Sequence, residues 1–364
     1  MKYTVPEYYK DFKCKSGECR NSCCEGWPVR ITTKEYYHLL GIKCSVELRA
    51  RLDCALKISL EPSNESYKQI STNWLGICIL HREDGLCALQ LELGESSLPE
   101  VCKLYPRSTK HLTDISNSSC SNSCEAVVEL LMNLTQTLLF EEKDLSIVPE
   151  FVINLSPIKN ECCKKSISII QDRSLSLPER FINLGNYLYG ADIYLTRPDN
   201  LSFAFQLLDV FDQYFESSVS VCDYCKASQT YFDIDGNEKL SVEDLKTILE
   251  KYISASEHLD SILPNWQILF EQLIVNHMFY NNFPFTDNQE KVNDAFLSLA
   301  TMYSFLRFNI LGYMSDKSIS ENLVDYLAAM FRLIEHSNFK QIAFHLFKNE
   351  EYAAEDCVSQ LLYL

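Results

Sequence analysis

Apolar positions recur at helical spacing over most of the chain, and the pattern predicts a mainly α-helical protein. Leu48, Leu52 and Leu56 repeat through an amphipathic stretch from 46 to 60, Leu89 to Leu93 forms a short helix before Gly94, and 125 to 140 is helical. Further on, Leu177-Pro178-Glu179-Arg180 opens a helix through Leu195, and Asp199 or Asn200 caps another through Phe215. Pro264 fits the first-turn preference of proline before a helix from 265 to 281. Asp287 or Asn288 begins the next, whose stripe Phe296, Leu299, Tyr303, Leu306 and Ile310 reads as core. Alternation of period two is scarce. Val29 to Thr33 is a brief extended piece, with Thr33 as the cap of a following helix, and Asp84-Gly85 is a turn signal that folds Cys78 against Cys87 in a short hairpin.

Composition reinforces this picture. Only 10 glycines and 11 prolines in 364 residues are too few for the many turns of an all-β fold. The formal charge of −17 argues against nucleic-acid partners, since a phosphate backbone attracts basic surfaces. No signal core stands at Met1 to Glu7, and no apolar run of about 18 residues suggests a membrane span. A cytoplasmic protein is therefore expected, and in that reducing setting clustered thiols are read as metal ligands rather than disulfides.

The cysteines change the picture most. Of 16, eleven lie between Cys14 and Cys124, which divides the chain into a Cys-rich metal-binding region, 1–125, and a helical domain, 126–364. Cys14, Cys19, Cys23, Cys24, Cys78, Cys87, Cys102 and Cys124 are the candidate ligands, of an iron–sulfur cluster or of zinc. Eight thiols exceed one centre, so either two are present or some of the eight are structural. Cys44 and Cys54 read as core residues, Cys162-Cys163 and Cys222-x2-Cys225 as free thiols, and His81 as a surface residue. A calcium loop is a further candidate at 233–244, with oxygen ligands from Asp233 to Asp244; Glu238 replaces its usual glycine, and a helix-capping loop is the alternative.

Several blocks carry a family resemblance. They are Pro6…Tyr9…Phe12-x-Cys14-x4-Cys19-x3-Cys23-Cys24-x-Gly26-Trp27, Cys78…Asp84-Gly85-Leu86-Cys87…Leu93-Gly94, Cys102-x3-Pro106-Arg107 and Ser123-Cys124-x-Ala126. Arg173…Leu177-Pro178-Glu179-Arg180 and Val275-Asn276-His277…Phe283-Pro284-Phe285 follow. Together they resemble the flagellin lysine-N-methylase family, related to putative zinc- or iron-chelating proteins with a C-x3-C-x2-CC motif. The resemblance implies methyl transfer from S-adenosylmethionine to lysines of flagellin or another lysine-bearing protein, with an iron–sulfur cluster, expected as 4Fe-4S, in the enzyme. Its catalytic residues stay open. Arg107 suits the carboxylate of the methyl donor, Trp27 is a second donor-binding candidate, and Tyr8, Tyr9 and Tyr105 are candidate channel walls. No G-x-G-x-x-G loop supports a Rossmann-type donor site. The rival reading is a non-catalytic zinc- or iron-binding protein, or a redox module.

Overall fold

The computed structural model describes residues 2–20, 22–25, 29–58, 68–112, 115–145, 151–153, 156–190, 241–285, 291–314, 319–336, 339–340 and 362. Contacts divide the chain into two compact units, Lys13–Arg107 on one side and Met1–Phe12 with Ser108–Leu364 on the other. The boundary thus differs from the one drawn by cysteine density. Its physical cause is the first strand, which pairs far along the chain.

That strand, β1 (Lys2–Pro6), precedes a 3-10 turn at Glu7–Lys10. The cysteine unit then contributes β2 (Val29–Ile31), α1 (Thr33–Gly41), α2 (Val46–Ala55), β3 (Leu56–Ile58), β4 (Lys68–Ile70), α3 (Ala88–Leu93) and α4 (Glu100–Leu104). The larger unit continues with β5 (Arg107–Leu112), β6 (Ile115–Cys120), α5 (Glu125–Met132), β7 (Phe140–Asp144) and β8 (Phe151–Ile153). Its helices are α6 (Pro157–Ile170), α7 (Leu177–Tyr189), α8 (Val242–Glu257), α9 (Leu259–Ile262), α10 (Trp266–Asn281), α11 (Val292–Met314) and α12 (Ile319–His336). The protein is mainly helical, as the periodicity predicts.

In the cysteine unit a three-stranded sheet, ordered β2-β4-β3, carries Val29, Ile31 and Ile70 inward. Helix α1 begins one residue earlier than expected, because Thr32 rather than Thr33 forms the capping box with Glu35. Leu48, Leu52 and Ala55 form the buried face of α2. Cys54 lies off that face and is exposed, which corrects its reading as a core residue, whereas Cys44 is half-buried against the apolar cluster.

The larger unit holds a five-stranded sheet, ordered β7-β1-β6-β5-β8, that hydrophobic periodicity does not reveal. Strand β1 runs parallel to β6 and antiparallel to β7, with Tyr3 opposite both Ser116 and Lys143. Helix α5 stops at Met132 instead of reaching 140. Past its end, the Thr135 carbonyl accepts from Arg173 Nη1 at 2.6 Å and the Gln136 carbonyl from Gln272, so this backbone is satisfied without helix. Helix α7 likewise ends at Tyr189, where Gly190 adopts a left-handed conformation (φ 66°). The stripe Phe296 to Ile310 on α11 is buried as expected. By length and composition α11 is apolar enough to cross a bilayer, contrary to the sequence expectation, but its apolar window is wholly buried in the unit, as a core helix is.

Candidate functional site

Two loops build a thiol-lined cavity within the cysteine unit. The Cys78 amide donates to the Cys24 carbonyl at 2.7 Å, joining the first loop to the second. The second loop doubles back through Arg82 N–H to the Leu86 carbonyl (2.9 Å), with Gly85 at φ +79° and His81 bridged to Cys87. Gly17 and Gly85 meet back to back. A Cβ on Gly85 would lie 2.8 Å from the Gly17 carbonyl oxygen, so only glycine permits this approach. The resulting cavity, of about 80 Å³, is lined by Cys23, Cys24, Cys78, Cys87 and Cys102 among Val29, Ile70, Leu80, Leu89, Leu98 and Tyr105.

These thiols perturb one another. The Cys23 thiol is held protonated first by a hydrogen bond with Cys24, then by burial and by the nearby Cys24, Cys102 and Cys14. Burial pushes Cys78 up to about 12, with Cys24 and Cys87 adding to the rise. Burial also raises Cys87, helped by Cys24. Cys102 is open to solvent on one side, yet desolvation and then Cys24, Cys78 and Cys87 raise its thiol. No lysine or arginine is among the described lining residues to favour thiolates. A cation there would reverse the balance, since a coordinating thiol is deprotonated outright. Soft sulfur donors around a small, apolar space fit a thiolate-held iron–sulfur group or zinc in kind. Among the described residues, however, no three Cys, His, Asp or Glu side chains form a ready ligand group.

The remaining candidates are placed as follows. Cys14 and Cys19 flank the 3-10 turn Ser16–Glu18, while Cys124 belongs to the larger unit, as the residue preceding α5. Arg107 is half-buried at the start of β5. Trp27, Cys222, Cys225 and the helix assigned to 200–215 lie outside the described residues, as does 233–240 of the calcium-loop candidate. Asp244, its last position, caps α8 by accepting from the Ser241 amide at 2.7 Å. His81 is half-buried rather than on the surface, with Nε2 shielded from solvent.

The larger unit contains two buried polar arrangements that hydrophobic patterning does not disclose. Tyr8 Oη donates to Asn276 Oδ1 at 2.6 Å, and Asn276 Nδ2 donates to the Cys120 carbonyl (2.9 Å) and to Asn122 Oδ1 (2.6 Å). Beside them His277 Nδ1 meets Glu335 Oε1 at 2.8 Å, Ser121 donates to the same carboxylate, and Ser123 Oγ meets His336 Nε2 at 2.9 Å. Tyr8 and Tyr9 are therefore core residues, not channel walls. In the second arrangement the wholly buried Glu271 carboxylate receives Arg173 through Nε (2.9 Å) and Nη2 (2.9 Å), and Arg180 through Nη1 (2.6 Å). The motif residues Tyr9, Ser123, Asn276, His277, Arg173 and Arg180 thus belong to the internal framework of this unit. Only their place in motifs signalled it; Glu271 and Glu335 gave no signal.

Comparison with known proteins fits this framework. The family model described as the FliB lysine N-methylase C-terminal domain matches residues 164–361, more than half of the chain. A lysine-N-methylase of Salmonella choleraesuis (strain SC-B67) is 26% identical over 153 residues, covering 39% of this chain and 35% of that protein. The lysine-N-methylase of Salmonella typhimurium (strain LT2) is 27% identical over 146 residues, with the same two shares. The flagellar biosynthetic protein FliU of Salmonella muenchen is 27% identical over 144 residues, 38% of this chain and 82% of its own length. The match spans about a third of the two lysine-N-methylases. No solved structure matches. With the match over 164–361 taking in Arg173, Arg180, Glu271 and Asn276, the chain belongs to the FliB lysine N-methylase family.

Proposed function

We propose that this chain is a cytoplasmic protein-lysine N-methyltransferase that takes its methyl group from S-adenosylmethionine and modifies flagellin or another lysine-bearing protein. The family match across 164–361 carries this reading. We further propose that it holds an iron–sulfur cluster, of 4Fe-4S type, through thiols of the set Cys14, Cys19, Cys23, Cys24, Cys78, Cys87 and Cys102. The five-thiol cavity supports that part.

When bound, S-adenosylmethionine supplies an electrophilic methyl group and an iron–sulfur cluster supplies a one-electron carrier. The chain must do the rest. A lysine with its ordinary pKa of about 10.4 is charged at neutral pH, and freeing its lone pair costs about 4–5 kcal/mol. The protein therefore needs surroundings that desolvate the amine and offer it no carboxylate. In the cysteine unit, Val29, Ile70, Leu80, Leu89 and Leu98 keep water from the thiols, and the two glycine-locked loops fix their spacing.

Anaerobic purification followed by iron and sulfide analysis tests the cluster. The expected result is a brown protein with iron and sulfide in stoichiometric amounts, lost in Cys24→Ala. A colourless zinc protein would contradict the cluster. Incubation with methyl-labelled S-adenosylmethionine and flagellin tests the reaction, and absence of label on lysine from the intact holoprotein would favour the non-catalytic metal-binding or redox reading.

A further inference from the structure

We propose that a second cavity, inside the larger unit beneath α6, receives the acceptor lysine side chain and presents it as a neutral amine. The inference rests on the methyltransferase reading above and names the site that reading lacks. The cavity has a volume of about 320 Å³, within the size range of small-molecule sites. Met278 and Asn282, both buried, form its floor, and Ile167, Phe140 and Phe279 its walls, the two rings packed at 4.5 Å. Lys164 and Ser168, exposed on α6, mark its mouth.

Charge decides what fits. No Asp or Glu is among the described lining residues, and the charged one is Lys164, which pairs with Glu161 at 3.0 Å in solvent, where screening leaves the pair weak. Asn282 Nδ2 is buried without a hydrogen-bond partner, so the floor holds a spare donor. The Cys163 thiol donates to the Asn282 carbonyl at 3.7 Å, and burial pushes it up to about 12, so it contributes no anion at working pH. An ammonium entering here loses its hydration and meets a like charge at the mouth. A neutral amine keeps its apolar stem against Phe140, Phe279 and Met278 without that penalty, because desolvation and like charge both lower a lysine pKa. Once neutral, the amine nitrogen bonds to the donor's methyl carbon as the carbon–sulfur bond breaks, its electron pair staying on sulfur, and the proton of the new methylammonium leaves to solvent.

The test uses the full-chain holoprotein and n-butylamine, a mimic of the lysine side chain, followed by ligand-observed NMR. Butylamine is expected to bind about thirtyfold more tightly at about pH 9.5 than at about pH 8, as the neutral fraction grows. Ile167→Trp fills the cavity and should weaken butylamine at least about tenfold and raise the KM for the protein substrate. If that variant does not fold, Lys164→Glu gives the answer from the surface, since a carboxylate at the mouth should flatten the pH dependence by admitting the ammonium. Tightest binding at the low pH, or indifference to both substitutions, overturns the proposal. Methyl transfer by a protein that ignores butylamine removes this pocket but leaves the reaction. Pocket binding by a holoprotein that methylates nothing removes the reaction instead.

Discussion

Glu271 offers the sharpest test of how the larger unit is held together. Its carboxylate is wholly buried on α10 and accepts from Arg173 and Arg180, which are 27% and 5% exposed. The two guanidinium groups are not equivalent. Arg173 can return to water, whereas Arg180 is confined, with Nε on the Leu175 carbonyl and Nη1 shared between the Ile170 carbonyl and Glu271. Glu271→Leu therefore strands a buried cation, and breaking a buried pair in this way costs about 3–5 kcal/mol. Arg173→Met loses charge-assisted bonds and frees the Thr135 carbonyl, but that group is exposed and turns to water and no charge is stranded, for a cost of about 1.5–3 kcal/mol. Replacing both buried partners, Glu271→Leu with Arg180→Met, should recover much of the loss, since apolar groups of similar volume can replace such a pair. Urea unfolding followed by far-UV circular dichroism reads these differences. With a slope of about 3 kcal/mol per molar, Glu271→Leu should lower the helical transition by about 1–2 M. A loss under about 1 kcal/mol, or a double variant no better than Glu271→Leu alone, would refute the stranded-charge argument.

Other outcomes follow from the same geometry. Tyr8→Phe leaves Asn276 Oδ1 buried without its donor and should cost about 1–3 kcal/mol by the same unfolding assay. Gly85→Ala places a methyl 2.8 Å from the Gly17 carbonyl at φ +79°, and should reduce iron loading of the cysteine unit while leaving the helical transition in place. The Glu35 carboxyl is burdened by burial, but the Glu100 amide and the Thr32 amide and hydroxyl outweigh that and hold its pKa below the usual carboxylate value. A depressed pKa stabilises the fold above the unfolded value of about 4.3 and is lost as pH falls through the folded one, so acid titration of Glu35→Gln should show a shallower loss of α1 than the parent protein.

How much of this was readable along the chain depends on where each signal resides. The α11 stripe and the turn at Asp84-Gly85 are local, carried by spacing and by a dipeptide, and the structure has both. The five-stranded sheet is not local. Its parallel pairing joins Tyr3 to Ser116, its edge strand reads Phe140-Glu141-Glu142-Lys143-Asp144, and its centre includes the serine-rich β6. Charges suit an exposed edge, yet they erase the alternation that would announce a strand. Glu271 is hidden for a similar reason, as a lone carboxylate in an apolar helix whose two partners lie about ninety residues away in sequence. For the thiols, sequence singled out the cysteines that line the cavity, but their selection among eight candidates needs the loop contacts.

The central claim is lysine methylation, and intact-mass analysis of flagellin tests it most directly. Flagellin would be incubated with S-adenosylmethionine and the anaerobically purified, iron-loaded full chain, then digested to locate any change. The account predicts mass increments of whole methyl groups on lysine side chains, absent when the methyl donor is omitted. Unmodified lysines after incubation with a folded, fully loaded protein, on flagellin and on other lysine-rich proteins alike, would contradict it.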